Sequence, residues 1–143
     1  MRTWTATATA TARPEAVLHV LTDPEAASSW APVPFDVEDD GRLAAGTRAR
    51  VSGRLAGRRV GFDVEVHSAD EHGLALTASG PLHFDVDYRL MPTASGSDIH
   101  ASVSVRPKSG LAGRLLAEAT GALLNAGALD KALARVATAS AYA

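Results

Sequence analysis

The sequence predicts an α+β fold: a curved antiparallel sheet of about seven strands wrapped around a long C-terminal helix, with two short helices after strand one. Three observations predict it. Most of the chain before Pro107 alternates polar and apolar residues at the strand period. Proline-punctuated helical turns interrupt that alternation straight after the first strand. From Leu111 to Val136 the apolar spacing changes to three and four, the helical period.

Each element follows from its residues. Residues 2–12 alternate threonine and alanine, and β-branched threonine suits an extended chain, so this is strand one. The two residues differ little in size and polarity, which leaves its facing open; Thr9 and Thr11 join the inner face in one of the two settings. Pro14 opens a helix because its missing N–H would be unpaired there anyway, and Val17, Leu18 and Leu21 supply the spacing. Pro24 breaks it and starts a second short helix towards Trp30, which Pro32 and Pro34 end. From Phe35 the chain reads as strand and turn. A two-residue turn at Ala56-Gly57 sets Val51 opposite Phe62 and Ala49 opposite Val64 on one face. The same register sets Arg50 opposite Asp63 and Arg48 opposite Glu65 on the other, so the hairpin supports itself. Leu74, Leu76 and Ala78 form one face of the next strand. Leu82, Phe84, Val86, Tyr88 and Leu90 then alternate with His83, Asp85, Asp87 and Arg89. A turn at Ala94-Ser95 leads to Ile99, Ala101, Val103 and Val105, with Ala101 opposite Tyr88. One apolar face per strand means an antiparallel, half-solvated sheet. The closing helix puts Leu111, Leu115, Ala119, Ala122, Leu123, Ala126, Leu129, Leu133 and Val136 on a single stripe of about seven turns, which must be buried.

The totals bound the rest. A chain of 143 residues reads as a single domain, 1–143, long enough for one core. Hydrophobic residues make up 46% and charged residues 21%, and the net charge of −2 favours neither nucleic acid nor an anionic membrane. No cysteine is present, which excludes disulfides and thiolate metal sites and fits a cytoplasmic location. The N-terminal Thr/Ala run lacks the apolar core of a signal peptide. No apolar run nears the roughly 18 residues that span a bilayer, so stable membrane insertion is not expected.

The opening stretch Pro14-Glu15, Val17, Leu21, Asp23 and Trp30 resembles the START/polyketide-cyclase-like superfamily (SRPBCC), the helix-grip fold shared with birch-pollen-allergen-like proteins. Gly46-Thr47, then Tyr88, Leu90, Pro92, Gly96 and Ile99, and the long terminal helix are similar to its later landmarks. The resemblance spans the chain, and because a strongly curved sheet cannot touch a straight helix everywhere, a groove is expected between them. It leaves function open, because that superfamily hosts lipid carriers, hormone receptors, cyclases and chaperone cofactors.

The expected groove lining is Phe35, Val51, Phe62, Val64, Leu76, Phe84, Val86, Tyr88 and Val103, with Leu115, Ala119 and Leu123 from the helix and Trp30 at the mouth. Trp30 either plugs that mouth or packs in the core under the loop. Tyr88 is the polar residue of this set, as a groove anchor or with its hydroxyl at a wet edge. Among the histidines, His19, His67 and His72 read as surface. His83, Asp85 and Asp87 share a face but lack a converging fourth ligand, so no metal is expected. The hairpin arginines have carboxylates opposite and no interleaved aromatics, so no nucleic acid partner is expected. Glu38-Asp39-Asp40 reads as a turn, and no nucleophile or phosphate-cradling motif or cofactor signature is present.

Three functions compete. One is the binding or carrying of a hydrophobic small molecule such as a lipid, isoprenoid or polyketide. The second is a polyketide aromatase or cyclase, which needs a positioned acid or base. The third is an interaction protein whose groove is filled by its own side chains. A groove without a catalytic set favours the first. Oligomeric state is left open.

Overall fold

A computed structural model gives the fold. The structure describes residues 2–23, 35–37, 43–55, 58–107 and 110–141, with the side chains of residues 35–37, 55, 58 and 112 excepted. The elements are β1 (Arg2–Ala10), α1 (Pro14–Thr22), β2 (Phe35–Val37), β3 (Arg48–Leu55), β4 (Arg58–Asp70), β5 (Gly73–Ser79), β6 (Leu82–Thr93), β7 (Gly96–Pro107), α2 (Leu111–Asn125) and α3 (Ala128–Ser140). The strands form a 7-stranded sheet in the order β1-β7-β6-β5-β4-β3-β2, and each neighbouring pair is antiparallel. Pro14 stands at the start of α1, as its missing N–H requires. The expected second short helix, from Pro24 to Trp30, lies outside the described residues, as do the turns at Glu38-Asp39-Asp40 and Ala56-Gly57.

Charge and apolar patterning set the hairpin registers. Val51 pairs with Phe62, Ala49 with Val64, Arg50 with Asp63 and Arg48 with Glu65. On the outer face Arg50 Nη1 donates to Asp63 Oδ1 at 2.9 Å. In the late hairpin Tyr88 pairs with Ala101 and Thr93 with Gly96, which leaves Ala94-Ser95 as the connection. Gly96 has a φ of 153°, and a Cβ there would collide with the Ala10 carbonyl oxygen, so only glycine lets β7 start this close to the end of β1. A register shift between Val66 and Ser68 bends β4, adding to the sheet's curl.

Strand β1 turns its alanines inward and its threonines outward. Ala6 and Ala10 are buried and Trp4 and Ala8 pack against the core, whereas Thr5, Thr7 and Thr9 are exposed. Alanine goes inside without a hydroxyl to satisfy, and Thr3 finds Ser104 Oγ at 2.9 Å outside. Thr9 and Thr11 are thus both exposed and do not join the inner face.

Two corrections concern the C-terminal helix. It is two helices, because Gly127 adopts a left-handed conformation (φ 90°, ψ 20°) between them. The last turn of α2 tightens there: the Ala126 N–H donates to the Ala122 and Leu123 carbonyls, and the Gly127 N–H to that of Leu124. The apolar stripe carries through the break only in α3, where Leu129, Leu133 and Val136 are buried as expected. In α2, Leu111 is 74% exposed, Leu115 55% and Leu123 43%, while Leu116, Thr120 and Leu124 are buried. Helix α3 lies along β1 and α1, and α2 lies over β7, β6 and β3.

Candidate functional site

The concave face of the sheet is built in rows, because directly paired residues of neighbouring strands point the same way. One row runs Leu74–Tyr88–Ala101–Ala6 across β5, β6, β7 and β1. All four are buried, at 1%, 3%, 3% and 6% exposure. The next row runs Val66–Leu76–Val86–Val103–Trp4, and the one after it Val64–Ala78–Phe84–Val105. In these rows Val66, Val103, Val64, Ala78 and Val105 are buried, but, besides Trp4 on edge strand β1, Leu76, Phe84 and Val86 are only partly covered. Those three are neighbours on β5 and β6. An apolar strip therefore stays partly open in the middle of the concave face. Phe62 stands at its β4 side, edge-on to Phe84 with ring centroids 5.4 Å apart.

Helix α2, which packs over β7, β6 and β3, buries Leu116, Thr120 and Leu124, spaced one turn apart on one face. Its seam with β1 is closed by Trp4, whose Nε1 donates to Asn125 Oδ1 at 2.8 Å. The Arg2 guanidinium stacks 4.8 Å over the Trp4 ring, and the same two side chains lie against Gly121, where no Cβ intervenes.

Two polar groups are buried on the elements that build this face. Desolvation pushes the Tyr88 phenol well above its ordinary pKa, so it stays protonated and can donate as well as accept a hydrogen bond. The Thr120 hydroxyl is 1% exposed and has no hydrogen-bond partner among the described residues. A buried hydroxyl left in that state costs about 1–3 kcal/mol.

The sheet side of the expected lining converges on this strip: Val51, Phe62, Val64 and Val103 are buried, Leu76, Phe84 and Val86 partly covered, and Tyr88 lies one row deeper. The helix side does not. Leu115 and Leu123 point outward and Ala119 is partly buried, because α2 is rotated to bury Leu116, Thr120 and Leu124 instead. Trp30 lies outside the described residues, and Phe35 is placed on β2 with its side chain outside them. Trp4, Leu116 and Thr120 were missed. A signal for the last two exists in the even spacing 116, 120, 124, which a threonine in mid-stripe disguises.

Ionisable side chains collect on the convex face. His83 Nδ1 lies 3.3 Å from Ser79 Oγ and its Nε2 lies 3.2 Å from Asp85, whose other oxygen lies 3.6 Å from Arg106. Both ring nitrogens thus have neighbours other than a metal. Among the described residues no group of three His, Asp or Glu side chains is arranged to hold one. A separate cleft of about 510 Å³ lies at the tip of the late hairpin, lined by Arg13, Glu15, Glu71, His72 and Ser95 among others. Its mixed charges contrast with the apolar strip.

A curled antiparallel sheet that grips C-terminal helices over an apolar groove defines the START-like, SRPBCC class of proteins. Within that class the chain belongs to the family described as polyketide cyclase/dehydrase and lipid transport, whose pattern matches residues 1–141. Solved structures agree on the fold. TTHA0849 from Thermus thermophilus superposes with a TM-score of 0.74 at 18% identity, covering 99% of this chain and 98% of that one. CV1439 from Chromobacterium violaceum gives 0.72 at 16% identity, covering 96% of each chain. A START superfamily protein from Mycobacterium smegmatis gives 0.66 at 19% identity, covering 92% of this chain and 93% of that one. No curated protein matches significantly. No helix among the described residues is long and apolar enough to cross a membrane.

Proposed function

We propose that the protein binds or carries a hydrophobic small molecule, of lipid, isoprenoid or polyketide type, in the groove between the concave face and α2. The observation that carries this reading is the partly uncovered apolar strip Leu76–Phe84–Val86 in the middle of the concave face. Burying such surface stabilises a complex by roughly 25 cal/mol per Å² before association costs. The family description names both cyclisation and lipid transport. Carriage is favoured over cyclisation because the carboxylates of β4 and β6, Asp63, Glu65, Asp85 and Asp87, point to the convex face. In the same reading the ligand is met in the cytoplasm, consistent with a cysteine-free chain, and nucleic acid has no part, since Arg50 and Arg48 face carboxylates.

Titration with N-phenyl-1-naphthylamine tests this. Saturable, blue-shifted emission is expected, with affinity lowered at least tenfold in Leu76→Gln and Val86→Gln variants that retain the wild-type circular dichroism. Absence of saturable binding, or binding that both variants preserve, refutes the groove as the site.

A further inference from the structure

We infer that the Thr120 hydroxyl is the polar anchor of the groove, and that the ligand it selects is an uncharged apolar molecule bearing a hydroxyl or carbonyl. This rests on the groove being the binding site. A threonine in a helix ordinarily turns its hydroxyl back onto the carbonyl four residues earlier. Thr22 does so to Leu18 at 2.9 Å, and Thr138 to Ala134 at 3.0 Å. Thr120 does not: it is the buried side-chain oxygen without a partner among the described residues. It lies between Leu116 and Leu124 on the face that α2 turns to the sheet, so water reaches it no better than protein does. Burial without a partner destabilises the free protein, and a ligand that supplies the partner recovers that loss on binding. The chemistry of the surroundings sets the ligand's charge. Among the described residues the concave rows carry no Asp, Glu, Lys or His, and their one cation, Arg2, sits at the β1 end stacked on Trp4. A cationic head group placed at Thr120 would find no counter-charge, an anionic one only Arg2, which is already stacked on Trp4, and either would lose its hydration. A hydroxyl or carbonyl needs only the single hydrogen bond that Thr120 offers, as donor or acceptor.

The test compares naphthalene with 2-naphthol, which is uncharged at pH 7, by calorimetric titration of the wild type, Thr120→Val and Thr120→Ser. The wild type is expected to prefer 2-naphthol by several-fold to about tenfold. Thr120→Val keeps the shape and removes the hydroxyl. It should bind naphthalene as before, lose the preference, and melt at or above the wild-type temperature. Thr120→Ser should restore the preference. A preference that survives in Thr120→Val, or a lower melting temperature in that variant without ligand, overturns the anchor. If the wild type binds both probes equally, the anchor alone fails; if it binds neither, the groove reading fails with it.

Discussion

Tyr88 pairs with Leu74 on one side and Ala101 on the other, and its ring is almost wholly removed from water. Burial disfavours the phenolate, so the folded protein holds the phenol proton more tightly than the unfolded chain does. The sign follows: the raised pKa has no effect while both states are protonated, and stability falls as pH rises past about 10, where only the unfolded phenol ionises. Thermal melts from pH 8 to 11 should show a steeper alkaline decline for the wild type than for Tyr88→Phe, by up to about 1.4 kcal/mol per pH unit. Equal declines would mean that the phenol is not desolvated. At this scale the pair Tyr88–Ala101 was legible in the sequence, because both residues fall on strict alternations counted from one turn. Thr120 was not, because a lone hydroxyl among Ala and Leu breaks the apolar pattern by which stripes are recognised.

Helix α2 separates pattern from packing. Leu115 and Leu116 are adjacent in sequence, yet Leu115 is 55% exposed and Leu116 4%. Leu116→Ala should therefore cost about 2–5 kcal/mol, and Leu115→Ala no more than about 0.5 kcal/mol. Chemical denaturation of the two variants checks this, and a costlier Leu115→Ala would put the sequence-derived stripe back against the sheet. The apolar periodicity from Leu111 to Ala126 supports either of two faces, because alanine and leucine are frequent around the whole helix. Gly127 is the stop signal that the continuing leucines mask: its positive φ ends α2, although Leu129 and Leu133 keep the spacing. Hairpins behave differently. Opposite charges on one face and apolar pairs on the other leave a single satisfactory register, and β3 and β4 adopt it.

For the whole molecule, α3 is the element on which the sheet's closure depends. Leu129, Leu133 and Val136 are fully buried against β1 and α1, and Val17 and Leu21 of α1 are buried with them. Each large apolar side chain buried is worth about 1.5–3 kcal/mol, against a typical total stability of about 5–15 kcal/mol. Ending the chain before Ala128 should abolish the cooperative thermal transition. A truncated protein that still melts cooperatively would show that α2 and the sheet hold together without it.

The alternation of Thr with Ala, the charge-matched hairpin and the late strands determined the sheet by themselves, along with its antiparallel pairing and its apolar face. These are local or cross-strand constraints with a period of two, and a slip of one residue would turn every side chain to the wrong face. The facing of β1, the rotation of α2 and the orphaned hydroxyl of Thr120 were decided only when distant surfaces met. Alanine and threonine differ too little for a strand to choose its face alone, so β1 takes its facing from β7 and from Asn125 reaching Trp4. Helix α2 has apolar residues on more than one face, so the curvature of the sheet beneath it selects which are buried.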